Sequence, residues 1–180
     1  MKTVLNFTIA VLLVCLSSFK AGREVYPEQL DWDTHFRGEP DSHSAYAALT
    51  VTTWHYSYTS KIRDGRLSID FKFAAGVDPS RSWVKRDRIS NRKTSRQLLN
   101  HEQGHVYINF LLLKIGEIQI PSQKYTTSNY KRLIVQTANR ISDYYSAMQD
   151  RYDDETKHGS DLEAQARWDD FLRSELNKYP

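Results

Sequence analysis

Two apolar periods divide the chain near Thr94, and any fold it adopts has to accommodate the change. Upstream, "RLSIDFKFA" alternates strictly: Leu67, Ile69, Phe71 and Phe73 fall on one side, Ser68, Asp70 and Lys72 on the other. That is the period of a half-buried strand. "ALTVTTWHYSYT" before it is dense in Thr, Tyr, Trp and Val, residues that suit a pleated surface. The intervening "SKIRDG" carries an Asp-Gly turn signal, so a β-hairpin is expected. Gly76 and Pro79 in "GVDPSRSW" are expected to break the sheet. Downstream, Leu98, Leu99, Val106, Phe110, Leu111 and Leu113 recur at helical spacing. Thr94 with Gln97, or Ser95 alone, suits the start of a helix running to about Gly116. A second helix is expected from about Ser128 through Leu133, Ile134, Ala138, Ile141, Tyr145 and Met148 to "KHG", where Gly159 suits a left-handed stop. Ser160 with Glu163 forms a capping box that opens a third helix through Trp168, Phe171, Leu172 and Leu176. The expected fold is α+β: a small N-terminal antiparallel sheet followed by three helices.

The beginning of the chain reads differently. Lys2 and the apolar run "VLNFTIAVLLVCLSS" form a secretory signal peptide over 1–21, too short for a comfortable membrane span. Cleavage after Ser17, Ser18 or Ala21 fits. An uncleaved anchor is the alternative reading, and Val14 argues against Cys15 as a lipid-attachment site. Residues 22–180 then form one domain. Cys15 is the only cysteine, so the exported chain is expected to fold without disulfides. Its metal ligands, if any, are His, Asp or Glu. The formal charge is +3, and apart from the locally basic "VKRDRISNRKTSR" nothing favours nucleic acid. No stable membrane span is expected after signal cleavage, and the expected location is periplasm, cell envelope or outside the cell.

"HEQGH" at 101–105 lies inside the first long helix. Positions i and i+4 share a helix face, so His101 and His105 can aim at one zinc ion. Glu102 lies about 100° round the helix, near enough to act as general base toward a zinc-activated water. This is the mechanical content of H-E-x-x-H on a helix. Gln103 reads as a surface residue. Gly104, a costly mid-helix residue, points either to close packing of another segment near the metal or to plain helix–helix contact.

A third ligand is needed, and spacing alone leaves it open. No histidine follows in "VYINFLLLK", and Glu117 falls near the helix end. His158 stands at the next helix stop, where a histidine is also favoured by the helix dipole. His35, His43 and His55 are rivals, with Asp153, Asp154 and Glu155 as carboxylate alternatives.

"LLNHEQGH", followed by "YDDETKHG" and then "QARW", resembles a bacterial family of predicted secreted zinc-dependent proteases, long described only as a domain of unknown function. "LDWDTHFRGEPD", "AALT" and "SWV" extend the resemblance over most of the chain from about Leu30 to Leu176. It implies that Tyr152, Asp153, Thr156, His158, Gly159, Gln165 and Trp168 share a region with His101, Glu102 and His105, and it favours His158 as third ligand. Val106 and Tyr107 depart from the family pattern, which has Phe and an acid there. Asp153 is expected to accept a hydrogen bond from a ligand histidine, and Tyr152 either to donate to an oxyanion or to be a buried packing residue. The combined expectation is a compact zincin-like metallopeptidase holding Zn2+ and acting on a peptide or protein substrate, with a sheet edge aligning it. A structural zinc site in a cell-envelope module and a zinc amidase acting on cell-wall peptides are the alternatives.

Overall fold

Asp64 and Gly65 both take positive φ, 50° and 73°, the backbone that a two-residue hairpin turn requires. A computed structural model describes residues 27–179; the signal peptide expected over 1–21, with Cys15, lies outside the described residues. The turn joins β2 (Thr52–Arg63) to β3 (Arg66–Val77), paired antiparallel with Tyr56 opposite Phe73 and Tyr58 opposite Phe71. The alternation in the sequence becomes the two faces of this ribbon. Trp54, Tyr56, Tyr58, Ile69, Phe71 and Phe73 pack against the helices, while Ser68, Asp70 and Lys72 face solvent.

The expected first strand is in fact two. Ala48–Leu49 forms β1, which pairs with β4 (Trp83–Val84) rather than continuing into the hairpin. Ser82 explains the break. Its buried hydroxyl accepts from Val51 N and donates to Asp78 O, at 2.9 and 2.8 Å. The ladder position of Val51 is thereby given to a side chain instead of a strand. Gly76 does not end β3, which runs on to Val77.

The N-terminal segment, expected to be irregular, contains one short helix, α1 (Trp32–His35). Asp31 caps it through bonds from Asp33 N and Thr34 N. A 3-10 turn at Arg86–Ile89 leads into α2 (Arg92–Gln119). Asn91 caps α2 by accepting from Lys93 N and Thr94 N, so the helix starts ahead of Thr94. The other helices are α3 (Tyr130–Thr156) and α4 (Leu162–Leu176), the latter capped by Asp161 rather than Ser160.

α2 is the axis of the molecule. Its Ile108, Leu111 and Leu112 pack with Ile134, Ala138, Ile141, Tyr145, Met148 and Tyr152 of α3 and with Trp168 and Leu172 of α4; the ribbon covers the same core from another side. A smaller core joins Val106 to Leu30, Phe36, Ala48 and Val84. Each fully buried large apolar side chain contributes roughly 1.5–3 kcal/mol. Being covered on several sides, α2 can hold charged and polar groups in a fixed frame. Among the described residues, no helix is long and apolar enough to cross a membrane.

Candidate metal centre

Packing on several faces buries the middle of α2, and His101 and Glu102 are only 2% and 3% exposed. His105 lies one turn on, its ring edge-on to that of His101 with centroids 5.0 Å apart. The end of α3 completes the group. Lys157, His158 and Gly159 all take left-handed φ, 49°, 52° and 78°, and His158 N donates to Asp153 O at 2.9 Å. These three residues turn the chain back over α2. At Gly159 a Cβ would lie 2.7 Å from His101 Cβ, so only glycine allows this approach. Two consecutive non-glycine residues in the left-handed region cost of order 1–3 kcal/mol each, and such conformations concentrate at functional sites.

Three ring nitrogens converge. Asp153 Oδ1 lies 3.1 Å from His101 Nε2, 3.1 Å from His105 Nε2 and 3.4 Å from His158 Nδ1. Donor atoms of His101, Asp153 and His158 all fall within 4.8 Å of one another, close enough to hold a metal ion. His158 thus joins His101 and Asp153 in that group, while His105 reaches the same carboxylate oxygen from outside it. Asp153 stands at the point the three histidines share, as a potential ligand, instead of bracing one of them from behind.

The hydrogen bonds on the far side of the rings fix what this group can bind. Gln149 Oε1 lies 2.6 Å from His105 Nδ1, and Gln149 Nε2 donates to His105 O at 3.0 Å. The carbonyl contact needs the amide nitrogen, so the amide oxygen meets the ring and accepts from Nδ1–H. Gln165 Oε1 meets His101 Nδ1 at 3.2 Å in the same way. Both rings thus carry a proton on Nδ1 and turn Nε2 toward Asp153. Lone pairs and a carboxylate oxygen within about 3 Å repel unless a cation joins them, either protons or a metal ion. The donor set of imidazole and carboxylate fits zinc and related transition ions.

Burial raises the Asp153 pKa, but hydrogen bonds from His101 and His105 and their charges outweigh it and hold the carboxyl well below its usual range. Burial depresses His105, yet the bond to Asp153 and the charges of Glu102 and Asp153 keep it above its ordinary value.

Glu102 has one partner that the sequence does not reveal. Thr50 Oγ1, between β1 and β2, donates to Glu102 Oε2 at 2.6 Å. Both residues line a cavity of about 580 Å3 that also takes in His101, His105, Asp153 and His158. Residues 45–50 form one of its walls, and the Tyr46 ring packs on His158 at 4.4 Å.

Tyr152 takes the packing role of the two expected for it. It is fully buried, stacks on His101 at 4.8 Å and donates to His101 O at 2.9 Å. It lies behind the histidine and outside the cavity wall, so its hydroxyl is not available to an oxyanion there. It also explains Gly104, where a Cβ would lie 2.5 Å from Tyr152 Cζ. Gln103 is not a surface residue. It is buried and binds Leu30 N and Glu28 O through its two amide atoms. Trp168 packs on Tyr152 and donates to Glu155; Thr156 donates to Tyr152 O. The rival ligands lie elsewhere: His35 binds Glu28 and the α1 backbone, His43 and His55 are exposed, and Glu117 pairs with Lys114. Gln149 was legible in principle, since it precedes Asp153 by four residues and shares its face of α3.

Fold and site together define a mixed α/β chain whose helices gather three histidines and a carboxylate on a cavity wall. The chain belongs to the bacterial family described as proteins of unknown function (DUF922), whose model matches residues 22–159. No curated protein and no solved structure matches it.

Proposed function

We propose that this chain is an exported, zinc-dependent metallopeptidase of zincin-like arrangement. One observation carries the reading: nitrogens of His101, His105 and His158 lie 3.1, 3.1 and 3.4 Å from the same oxygen of Asp153, on the wall of a cavity shared with Glu102 and a sheet edge. His101, His105 and His158 would hold the ion, with Asp153 as a further oxygen donor. Zinc bound there supplies Lewis acidity, acidifying water and polarising a carbonyl. Glu102 is the general base. Thr50 occupies its Oε2, which leaves Oε1 to take a proton and later deliver it to the leaving amine. Among the described residues β1 pairs only with β4, so the segment beside the cavity has an edge to offer an extended peptide. Gln149 and Gln165 hold the two α2 imidazoles in orientation.

The test is metal content together with one variant. Purified protein is expected to carry about one zinc. Glu102→Gln should retain the metal and lose hydrolysis of a broad peptide library. A zinc-loaded wild type as inert as Glu102→Gln would sink the catalytic reading.

A second reading has its own support. Three nitrogens and Asp153 Oδ1 make four protein donors, the number of a closed structural site. In that case zinc only staples α2 to the end of α3 in a cell-envelope module, and chelation lowers stability with no hydrolysis to lose. A zinc amidase acting on cell-wall peptides would share the chemistry and differ in substrate, so muropeptides belong in the library.

A further inference from the structure

His101 can offer Nε2 to a metal only while its proton sits on Nδ1, where the amide of Gln165 at 3.2 Å is the nearer partner and Thr156 Oγ1 at 3.4 Å the farther. An amide has two ends of similar shape and opposite hydrogen-bonding sense. Turned one way, Gln165 presents Oε1 to His101 and keeps Nδ1–H. Turned the other, it presents NH2, and the proton moves to Nε2. Tyr152, one neighbour of the amide, favours the first orientation while its single proton goes to His101 O, but the hydroxyl can turn that proton toward Gln165 instead. Its oxygen lies 2.8 Å from Gln165 Nε2 and donates to His101 O.

The remaining neighbour is Asp169, one turn further along α4. Its Oδ1 lies 2.8 Å from Gln165 Nε2, and its Oδ2 accepts from Asn100 Nδ2 at 2.9 Å. An ionised carboxylate only accepts. A turned amide would set Gln165 Oε1 against Asp169 Oδ1 at that distance, two acceptors with no proton between them. Asn100 precedes His101 on α2, so the carboxylate is itself fixed from the helix whose histidine it governs. Asp169, Gln165 and His101 form one chain of hydrogen bonds through a buried amide that is 5% exposed. Both α4 residues lie beyond the stretch matched by the family model.

We propose that Asp169 is a positioning residue that locks the Gln165 amide and thereby fixes His101 in the Nδ1–H form, with Nε2 free to bind metal. Asp169→Asn tests this with little change of shape, since asparagine can present NH2 and allow the amide to turn. Two readouts apply. In Asp153→Ala protein labelled with 15N histidine and stripped of metal, at a pH where the ring is neutral, His101 should show the Nδ1–H form while Asp169 is intact; Asp153 is removed because its Oδ1, 3.1 Å from Nε2, would itself hold a proton there. In the same background Asp169→Asn should show a mixture or the Nε2–H form, and Asp169→Glu should restore the Nδ1–H pattern. Retention of Nδ1–H alone in Asp169→Asn overturns the proposal. The second readout is zinc affinity by chelator competition, where a loss of about 10–100-fold is expected with partial recovery in Asp169→Glu. This arm rests on the zinc reading above. If the wild type takes no zinc, that reading falls and the tautomer result still decides the role of Asp169. If the tautomer changes and zinc affinity does not, the claimed consequence for the metal is overturned. Should Asp169→Asn fail to fold, Asp169→Ala removes the same constraint and is read in the same two ways.

Discussion

Gly104 shows how a single hydrogen atom in place of a methyl group can set the geometry of a site. The Tyr152 ring occupies the space a side chain would need, and that ring backs His101. Gly104→Ala gains about 1 kcal/mol of helix propensity but must displace a fully buried tyrosine, and overpacking of this kind costs roughly 1–3 kcal/mol. The expected result is a net loss of stability by urea unfolding, together with weaker zinc binding. A more stable, fully zinc-competent variant would show that the contact is readily relieved. Titration gives a second prediction. The Asp153 carboxyl is depressed from 3.8, so its contribution is complete above that value and is lost as pH falls through the lower folded value. His105 is raised from 6.5, so its contribution is complete below that value and is lost as pH rises through the folded value. Chelator-treated protein should therefore be most stable between about pH 4 and 6.5. A Tm profile flat across that window, or one peaking above it, would contradict the assignment. These residue-level facts were partly legible in advance. The spacing of His101 and His105 announced itself, as did the need for a partner near Gly104. The place of Asp153 did not, because three consecutive acids at a helix end look alike until the backbone says which one turns inward.

At the level of elements, the periods in the sequence and its turn glycines were good guides, and its helix caps were not. The alternation around Phe71 and the Asp64–Gly65 signal predicted the ribbon, because side-chain period and turn chemistry are local properties. The split at Thr50–Val51 escaped notice, since it depends on Ser82, more than thirty residues away. Helix starts shifted for a similar reason: Asn91 and Asp161 cap where Thr94 and Ser160 had the expected chemistry, and which oxygen reaches the free N–H groups depends on how the chain arrives. The end of α3 makes a testable element. Gly159→Ala meets both a left-handed φ and the His101 side chain, so it should lose about 1–3 kcal/mol and weaken zinc binding. Calorimetry and chelator competition on the same preparation check both. Unchanged affinity would mean that the turn does not position His158 against His101.

For the whole molecule, the two halves of the site come from helices about fifty residues apart, and α2 is packed against every other large element. An ion held by α2 and the end of α3 should thus be felt globally. At a free zinc concentration about 1,000 times Kd, binding adds roughly 4 kcal/mol, which at 2–4 °C per kcal/mol for a chain of this size is about 8–16 °C in Tm. Chelation should lower the melting temperature by that amount, and re-addition of zinc should restore it. No shift would argue against a preformed site that ties the two helices together.

The reversal at Lys157–Gly159 also governs where the chain can change length. Every residue of that turn is committed to a backbone conformation, and an insertion or deletion of one would swing His158 away from Asp153 and slide Gly159 off His101. The exposed tip at Asp64–Gly65 carries no such obligation, because Ile62 and the residues around it have left the core behind. Extra sequence, a reporter or a tether should be accepted at the tip of the ribbon, whereas the corner after α3 must be kept to the residue.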